Sequence, residues 1–321
     1  MSESDQRKFC VILLAMGGPD KPDDVKEFLF NIFSDRSIIR LPGGKLFQKP
    51  FARMIASRRS GKVRARYELI GGGSPLLAWT ESQAEQIEQV LAADFGSIKC
   101  YVGMRYWKPS IDEAITEAEQ DGYKTICFLP MYPQYSRATT GSSFQLADQL
   151  MAAKPGMKAV FIGDFSSDSV YTSLLHDWIE ANIRPDDTLL FSAHAVPQKF
   201  IDDGDPYVDQ VIRSASIAAG DREHFVSFQS RTGPVKWVRP DTIDEARRLL
   251  TEREGSLFIV PISFVCDHIE TLYEIDIQLK EILGEELGSR IRRMPMFNND
   301  QRFAAVLARI VRERMNNRGK I

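Results

Sequence analysis

Two stretches of the sequence carry ionisable side chains in positions suited to binding a metal ion or moving protons. In the first, Ser192–Pro197, His194 follows a predicted strand and a proline ends the turn. Ligands of open parallel sheets bind beyond the carboxyl ends of the strands, so this imidazole can face a ligand. With an unperturbed pKa of about 6.5, histidine is largely neutral at pH 7 and either accepts a proton or ligates a divalent metal. A structural hydrogen-bonding role is the alternative, and the sequence alone does not separate these roles.

The second stretch, Pro261–Asp276, runs from the end of a strand into a predicted helix. Glu270, Glu274 and Gln278 are four residues apart, so on a regular helix they share one face and offer oxygen atoms to a cation or a proton. A solvated surface stripe would have the same spacing. His268 has no second histidine four residues away, which argues against a metalloprotease zinc site. Any metal bound here is therefore expected to be a transient substrate.

The composition excludes several classes of protein. The chain has 321 residues, 43% of them hydrophobic, which is enough to bury a sizeable core in two lobes. Its 41 basic and 44 acidic residues give a net charge of -3 without long like-charge runs, so nucleic acid is not an expected partner. The four cysteines form no CxxC pair, which fits a reducing cytoplasm better than a disulfide framework. The longest apolar run, Phe9–Met16, is too short to cross a membrane and predicts a buried strand.

Short apolar runs rich in β-branched residues alternate with amphipathic stretches of helical period. This alternation predicts βαβ units, and hence an α/β fold of two doubly wound, Rossmann-like lobes, each with a parallel sheet flanked by helices. The runs predicted as strands are 9–15, 98–103, 124–129, 157–162, 187–192, 224–229 and 256–263. The predicted helices include 81–94, 110–121, 168–183, 241–252, 268–283 and 299–316. We place the boundary near residue 140, so that helix 299–321 completes an N-terminal lobe of 1–140 and residues 141–298 form the C-terminal lobe.

Several blocks of sequence, in order and with consistent spacing, resemble those of ferrochelatases. They are MGGP at 16–19, IGGGSP at 70–75, RY at 105–106, YPQYS at 132–136, TTGSS at 139–143, FSAH at 191–194 and DHIETLYEID at 267–276. The resemblance covers residues 9–315, nearly the whole chain. It implies two lobes of shared topology with a porphyrin cleft between them, and insertion of iron(II) into a porphyrin. It also implies that His194 and Glu270 are catalytic and contact the metal, with Glu274 as a secondary group.

The resemblance also assigns residues to substrate binding and to a membrane-facing lip. The positions that match the porphyrin pocket of the family are Met16, Tyr67, Ser74, Arg105, Tyr106, Tyr132, Trp237 and Phe264. A basic cluster at the mouth of that pocket, suited to porphyrin propionates, corresponds to Arg58, Arg59 and Lys62. The stretch 28–55 matches the movable lip, which contacts lipid in membrane-associated members. Its apolar residues are Phe28, Phe30, Ile32, Phe33, Ile38, Ile39, Leu41, Leu46 and Phe47. We therefore expect a cytoplasmic enzyme with peripheral membrane contact, whose oligomeric state the sequence does not determine.

Three positions depart from patterns found among ferrochelatases. Some members hold a [2Fe-2S] cluster through cysteines in a carboxyl-terminal extension and one near the YPQYS block. Here Arg137 occupies that last place and no cysteine follows Cys266, so we predict neither a cluster nor another permanently bound cofactor. Gln278 replaces an acidic residue, which shortens the carboxylate row. Met16 stands where the coproporphyrin-specific branch often has tyrosine, so it favours protoporphyrin.

Three alternatives to a protoporphyrin ferrochelatase stay open at this point. The nearest is a coproporphyrin ferrochelatase. A cobalt chelatase acting on a related tetrapyrrole would share the fold, although such enzymes usually carry a second histidine and fewer of these blocks. A noncatalytic porphyrin or haem carrier would keep the aromatic residues but would have no need of the His194–Glu270 pair.

Overall fold

The computed structural model describes residues 9–36, 39, 41, 44–233 and 235–317. The chain divides into two compact units. The first contains the residues up to Met131, Arg137–Gly163 and the chain from Asn298 onward. The second contains Tyr132–Ser136 and Asp164–Phe297.

The first unit is built on a sheet of four parallel strands in the order β2-β1-β3-β4. Its strands are β1 Phe9–Ala15, β2 Cys100–Met104, β3 Thr125–Pro130 and β4 Lys158–Phe161. All seven residues of β1 are buried, because helices cover both faces of a parallel sheet and a central strand therefore needs apolar side chains on both. Its α-helices up to Gly163 are α1 Val25–Ser34, α2 Gly44–Glu68, α3 Leu76–Phe95, α4 Ile111–Gln120 and α5 Ser142–Ala152.

The second unit repeats this plan with four parallel strands in the order β6-β5-β7-β8. Its helices and strands, in chain order, are α6 Ser169–Asn182, β5 Thr188–His194, α7 Gln198–Asp202, α8 Tyr207–Ala219, β6 His224–Gln229, α9 Thr242–Glu252, β7 Leu257–Pro261, α10 Ile269–Leu272, a π-helix Glu274–Leu279, α11 Lys280–Gly288 and β8 Ile291–Arg293. The central strand β5 ends at His194, and its last residue pairs in register with Gln229 of β6. The candidate histidine therefore lies at the carboxyl edge of this sheet.

The last helix, α12 Gln301–Asn317, returns to the first unit and packs against α3. The Gln83 side-chain amide donates to the Asn298 carbonyl at 2.7 Å, and that of Gln86 donates to the Asn299 carbonyl at 2.8 Å. These bonds join the start of α12 to α3. Residues 318–321, the end of the predicted helix 299–321, lie outside the described part of the chain.

The predicted α/β class with two doubly wound sheets is confirmed, while several local predictions differ from the structure. The predicted boundary near residue 140 separates β4 from the first unit, whereas β4 pairs with β3 and keeps 137–163 in that unit. The stretch 28–55, interpreted as a loop-rich lip, is mostly helical in α1 and α2. Of its apolar residues, Phe28 and Phe33 are buried, and Ile38 lies outside the described residues. No helix in the described ranges is long and apolar enough to cross a membrane.

Candidate active site

The ring of His194 is held by the Ala195 carbonyl, and its backbone is held by two hydroxyl groups. Its Nδ1 lies 2.6 Å from the Ala195 carbonyl oxygen, and since a carbonyl only accepts, Nδ1 carries a hydrogen. The His194 amide donates to Ser263 Oγ at 3.3 Å, and the Tyr207 hydroxyl donates to the His194 carbonyl at 2.9 Å. The Ser263 and Tyr207 hydroxyls are themselves 2.6 Å apart. These contacts leave Nε2 as the ring nitrogen that faces other groups.

Glu270 bridges two imidazoles. Its Oε1 lies 3.3 Å from His194 Nε2, and its Oε2 lies 2.7 Å from His268 Nε2. The Nδ1 of His268 lies 3.0 Å from the Cys266 carbonyl oxygen, which fixes that ring as well. Glu270 occupies the first turn of α10, where the helix dipole favours a negative charge. The predicted pair of His194 and Glu270, 76 positions apart in the sequence, is thus in direct contact.

The two members of this pair change each other's protonation. Partial burial lowers the pKa of His194, but the neighbouring Glu270 charge, the hydrogen bond to Glu270 and the charge of Glu274 outweigh it and raise the pKa to about 9. Burial raises the pKa of Glu270, whereas the His194 charge and the bonds to both imidazoles hold it well below its usual range. The pair is therefore an imidazolium–carboxylate ion pair at pH 7. This differs from the largely neutral histidine that an unperturbed pKa predicts.

Glu274 lies in a different environment, although it is four residues after Glu270. Its Oε2 accepts hydrogen bonds from the Ser230 hydroxyl and, at 3.2 Å, from Gln229 Nε2. Burial and the nearby Glu270 charge raise the pKa of Glu274, because a second buried carboxylate ionises less readily beside the first. The site therefore holds one carboxylate that stays ionised and one that readily takes a proton.

Gln229 and Ser230 are site residues that the sequence did not indicate. Gln229 Nε2 also donates to the Glu270 carbonyl at 2.8 Å, and its Oε1 accepts from Ser192 Oγ at 2.7 Å. Ser230 has a φ of 70°, a left-handed backbone conformation that is costly for a residue with a Cβ. The available signal was their place at the carboxyl end of the predicted strand 224–229, which Gln229 ends and Ser230 follows. Their partners lie some 40 positions further along the chain, so only the tertiary structure reveals them.

The helix that carries the acidic row is not regular. The α-helix Ile269–Leu272 passes into a π-helix over Glu274–Leu279 and then into α11. The Gln278 amide donates to the Tyr273 carbonyl at 2.7 Å, the i to i−5 bond of a π-helix. The prediction of one helix over 268–283 was therefore wrong in its geometry. Such π-turns often occur at functional sites.

Three other predicted residues, Phe264, Trp237 and Tyr132, belong to the second unit. The Phe264 ring lies 4.4 Å from the His268 ring, centre to centre, so it borders the site. Trp237 forms a backbone bridge with Pro197, which places its loop beside the segment that follows His194. Its indole Nε1 is buried and has no hydrogen-bond partner among the described residues. Tyr132 begins the Tyr132–Ser136 segment and is half-buried.

The predicted residues of the first unit form two groups at strand ends. The Arg105 and Tyr106 amides donate to the Ala15 and Met16 carbonyls at 2.8 and 2.9 Å, so they lie beside Met16. Arg105 Nη2 and the Tyr106 hydroxyl both donate to one Asp35 oxygen, at 2.6 and 2.7 Å. Arg105 is thus already paired with a carboxylate.

The second group joins two glycine-rich blocks. The Ser74 amide donates to the Pro19 carbonyl at 2.8 Å. A Cβ at Gly18 would lie 2.5 Å from Ser74 Cβ and 3.8 Å from the Tyr67 hydroxyl, so only glycine allows this approach. The basic residues Arg58, Arg59 and Lys62 lie on α2. Arg58 and Lys62 are exposed, whereas Arg59 stacks 5.5 Å from the Phe33 ring.

Solved structures show the same chelatase fold. The chain superimposes on SirB from Bacillus subtilis with Fe3+ with a TM-score of 0.56, at 10% sequence identity, over 98% of each chain. It superimposes on the sirohydrochlorin chelatase SirB from Bacillus subtilis subspecies spizizenii with a TM-score of 0.55, at 10% identity, over 98% of this chain and 97% of that one. The two parallel sheets thus define a protein of the chelatase fold class.

The family follows from the sequence comparisons. The ferrochelatase family model matches residues 8–315. A ferrochelatase from Geotalea daltonii is 42% identical over 315 residues, covering 95% of this chain and 97% of that protein. One from Gloeobacter violaceus is 40% identical over 318 residues, covering 95% and 97%. The chain belongs to the ferrochelatase family, and it is accordingly a metal-chelating lyase of haem biosynthesis.

Proposed function

We propose that this enzyme inserts iron(II) into protoporphyrin IX, forming protohaem and releasing two protons. The observation that supports the proposal most strongly is the contact between His194 and Glu270, with Glu274 close enough to change their protonation. Metalation of a porphyrin must remove two pyrrole protons and bring a metal ion to the ring nitrogens. The site offers an imidazole, an ionised carboxylate and a second carboxylate that accepts protons, which are the groups this reaction needs.

In this mechanism the ion pair must lose its proton before His194 can act. An imidazolium has no free lone pair, so it neither takes a pyrrole proton nor ligates a metal. A dication that approaches Glu270 competes for the carboxylate charge that stabilises the imidazolium, and the pKa of His194 falls. The released Nε2 lone pair then accepts a pyrrole proton or ligates iron(II). Glu274, held by Ser230 and Gln229, is suited to carry protons away.

We propose that the substrate is recognised by aromatic, small and basic side chains named from the sequence. In the first unit these are Met16, Tyr67, Ser74, Arg105 and Tyr106, with Arg58, Arg59 and Lys62 as partners for propionates. In the second unit they are Tyr132, Trp237 and Phe264. Two observations support this assignment: the Trp237 indole Nε1 has no partner in the described part of the chain, and Ser74 lies close to Gly18.

The choice of porphyrin is tested by anaerobic incubation with iron(II) and either protoporphyrin or coproporphyrin, followed by metalloporphyrin absorbance. We expect protoporphyrin to give the higher kcat/KM, and Met16→Tyr to shift the ratio towards coproporphyrin. Faster insertion into coproporphyrin by the unmodified enzyme would contradict the protoporphyrin assignment. A parallel reaction with cobalt(II) tests the alternative of a cobalt chelatase.

We also propose that helix α2 contacts the surface of a membrane from the cytoplasmic side. Leu46 and Phe47, near its start, are 87% and 54% exposed, which is unusual for large apolar side chains. Lys45 and Lys49 flank them and are exposed as well, an arrangement that suits anionic lipid headgroups. Co-sedimentation with anionic vesicles should weaken in the Leu46→Ser/Phe47→Ser variant, while its activity on soluble porphyrin stays unchanged.

The absence of a [2Fe-2S] cluster or other resident cofactor stays a prediction.

A further inference from the structure

Arg293, the last residue of β8, holds two carboxylates at once. Its Nη1 lies 3.0 Å from Asp267 Oδ1. Its Nε and Nη2 donate to the Asp276 carboxylate at 2.9 and 2.8 Å, the two-pronged arrangement in which arginine binds a carboxylate best. The Arg293 side chain is only 11% exposed, so these bonds form in a largely desolvated place. The pKa of Arg293 is raised above its ordinary value, although burial by itself lowers it, because these two carboxylates surround it.

In the sequence, the two partners of Arg293 lie on either side of Glu270 and Glu274. Asp267 precedes Glu270 by three residues, and Asp276 follows Glu274 by two. Asp267 Oδ1 also accepts from the Thr271 hydroxyl at 3.0 Å, which connects the Arg293–Asp267 ion pair to the first turn of α10. Asp276 lies within the π-helix. A single guanidinium therefore ties the start of α10 to the π-helix.

A π-helix is less favourable than an α-helix, so its persistence here needs an external constraint. Without the guanidinium, Asp267 and Asp276 would be partly buried carboxylates lacking their cation, and the segment would relax towards a different helical register. Such a change rotates Glu270 and Glu274 relative to His194 and Ser230. A displacement of about 1 Å in a catalytic group can reduce a rate on the order of a hundredfold.

We propose that Arg293 is a positioning residue for iron insertion: by clamping Asp267 and Asp276 it holds Glu270 against His194 and Glu274 against Ser230. This inference rests on the proposed function of the His194–Glu270 pair. Arg293 ends β8, a strand of three residues, and acts on the reaction through Asp267 and Asp276 rather than by touching the substrate.

The neighbouring Arg292 provides a matched control. It points to the other face of β8 and pairs with the buried Asp187, and it donates to the Asn182 carbonyl at 2.9 Å. Its removal breaks another ion pair of the same strand, one whose carboxylate is fully buried, but leaves the contacts of Asp267 and Asp276 intact. We therefore compare Arg293→Met, Arg293→Lys and Arg292→Met with the unmodified enzyme, measuring kcat and KM for porphyrin, melting temperature and amide hydrogen exchange over 267–279.

We expect Arg293→Met to lower kcat by about 10- to 100-fold with little change in the porphyrin KM, and to speed exchange over 267–279. Arg293→Lys keeps the charge but bridges two carboxylates poorly, so its kcat should lie between those of Arg293→Met and the unmodified enzyme. Arg292→Met should lower the melting temperature but keep kcat near that of the unmodified enzyme. If Arg293→Met does not fold, Asp276→Asn removes one side of the clamp at constant shape and should give the same kcat loss.

Two results would overturn the inference. One is a kcat loss that is equal in Arg293→Met and Arg292→Met, which indicates general destabilisation. The other is an unchanged kcat in folded Arg293→Met or Asp276→Asn. Failure of the unmodified enzyme to insert iron in the same assay would instead contradict the proposed function.

Discussion

Replacing Glu270 with glutamine removes a negative charge 3.3 Å from His194 Nε2 while it keeps the shape of the side chain. That charge is the strongest of the influences that raise the pKa of His194 to about 9. At pH 7 this pKa leaves about 1% of His194 neutral. Since Glu274 loses its acidic neighbour, it ionises more readily and sustains part of the effect, so we expect the pKa to fall by about 1 to 2 pH units. A fall of about 1.4 units, to a pKa of about 7.6, would leave about 20% of His194 neutral at pH 7.

The assay is a pH titration of the histidine ring protons by NMR in the unmodified protein and in Glu270→Gln. The chain has four histidines, and His194→Ala assigns the signal of interest. Glu274→Gln serves as the matched control, because its charge is a weaker influence on His194 and its removal should lower the pKa by less. A His194 pKa that stays near 9 in Glu270→Gln would refute the reasoning that this carboxylate sets the charge of the imidazole.

Three further predictions follow from the same contacts. Because His194 must be unprotonated to act and its pKa is raised, kcat/KM for iron(II), measured anaerobically at saturating porphyrin, should rise from pH 7 to pH 9; a flat or falling profile would argue against the ion pair. Ser230→Ala removes a hydrogen bond that favours ionised Glu274, so the pKa of Glu274 should rise further and kcat should fall on the order of tenfold, and an unchanged kcat would exclude Glu274 from the reaction. Gln48→Ala should lower the free energy of unfolding by about 2 kcal/mol in a denaturant titration, because this buried amide donates to the Phe33 and Ile39 carbonyls at 2.7 and 2.8 Å; an unchanged midpoint would contradict that role.

The sheet strands were predictable because their sequence signal is local. Seven of the eight strands coincide with apolar, β-branched runs, and β1 is buried along its whole length. The eighth, β8, has only three residues, two of them arginines, and gives no such signal. Its place in the sheet depends on pairing with β7, which is a tertiary contact.

The helices of the stretch 28–55 were missed for two physical reasons. Helix α1 has the period of an amphipathic helix, with Val25, Phe28, Leu29 and Phe33 buried, but the stretch 28–55 begins inside it and cuts that period short. Helix α2 contains Pro50 and Gly61, residues that usually interrupt helices. Packing overrides the signal of Pro50 and Gly61, since α1 and α2 lie against each other.

The candidate site was predictable in its residue types but not in its protonation. The resemblance to ferrochelatases pointed to His194, Glu270 and Glu274, and the structure brings these three together. The charge on His194 depends on a carboxylate that is distant in sequence, and the support from Gln229 and Ser230 depends on the pairing of β5 with β6. The π-helix depends on bonds that no local pattern of side chains reveals.

The catalytic role of His194 is tested most directly by anaerobic iron insertion in His194→Ala, measured together with porphyrin binding by fluorescence quenching. We expect the variant to bind protoporphyrin as the unmodified enzyme does, while formation of protohaem falls by about 10³-fold or more. Near-normal insertion by this variant would contradict the catalytic role of the His194–Glu270 pair.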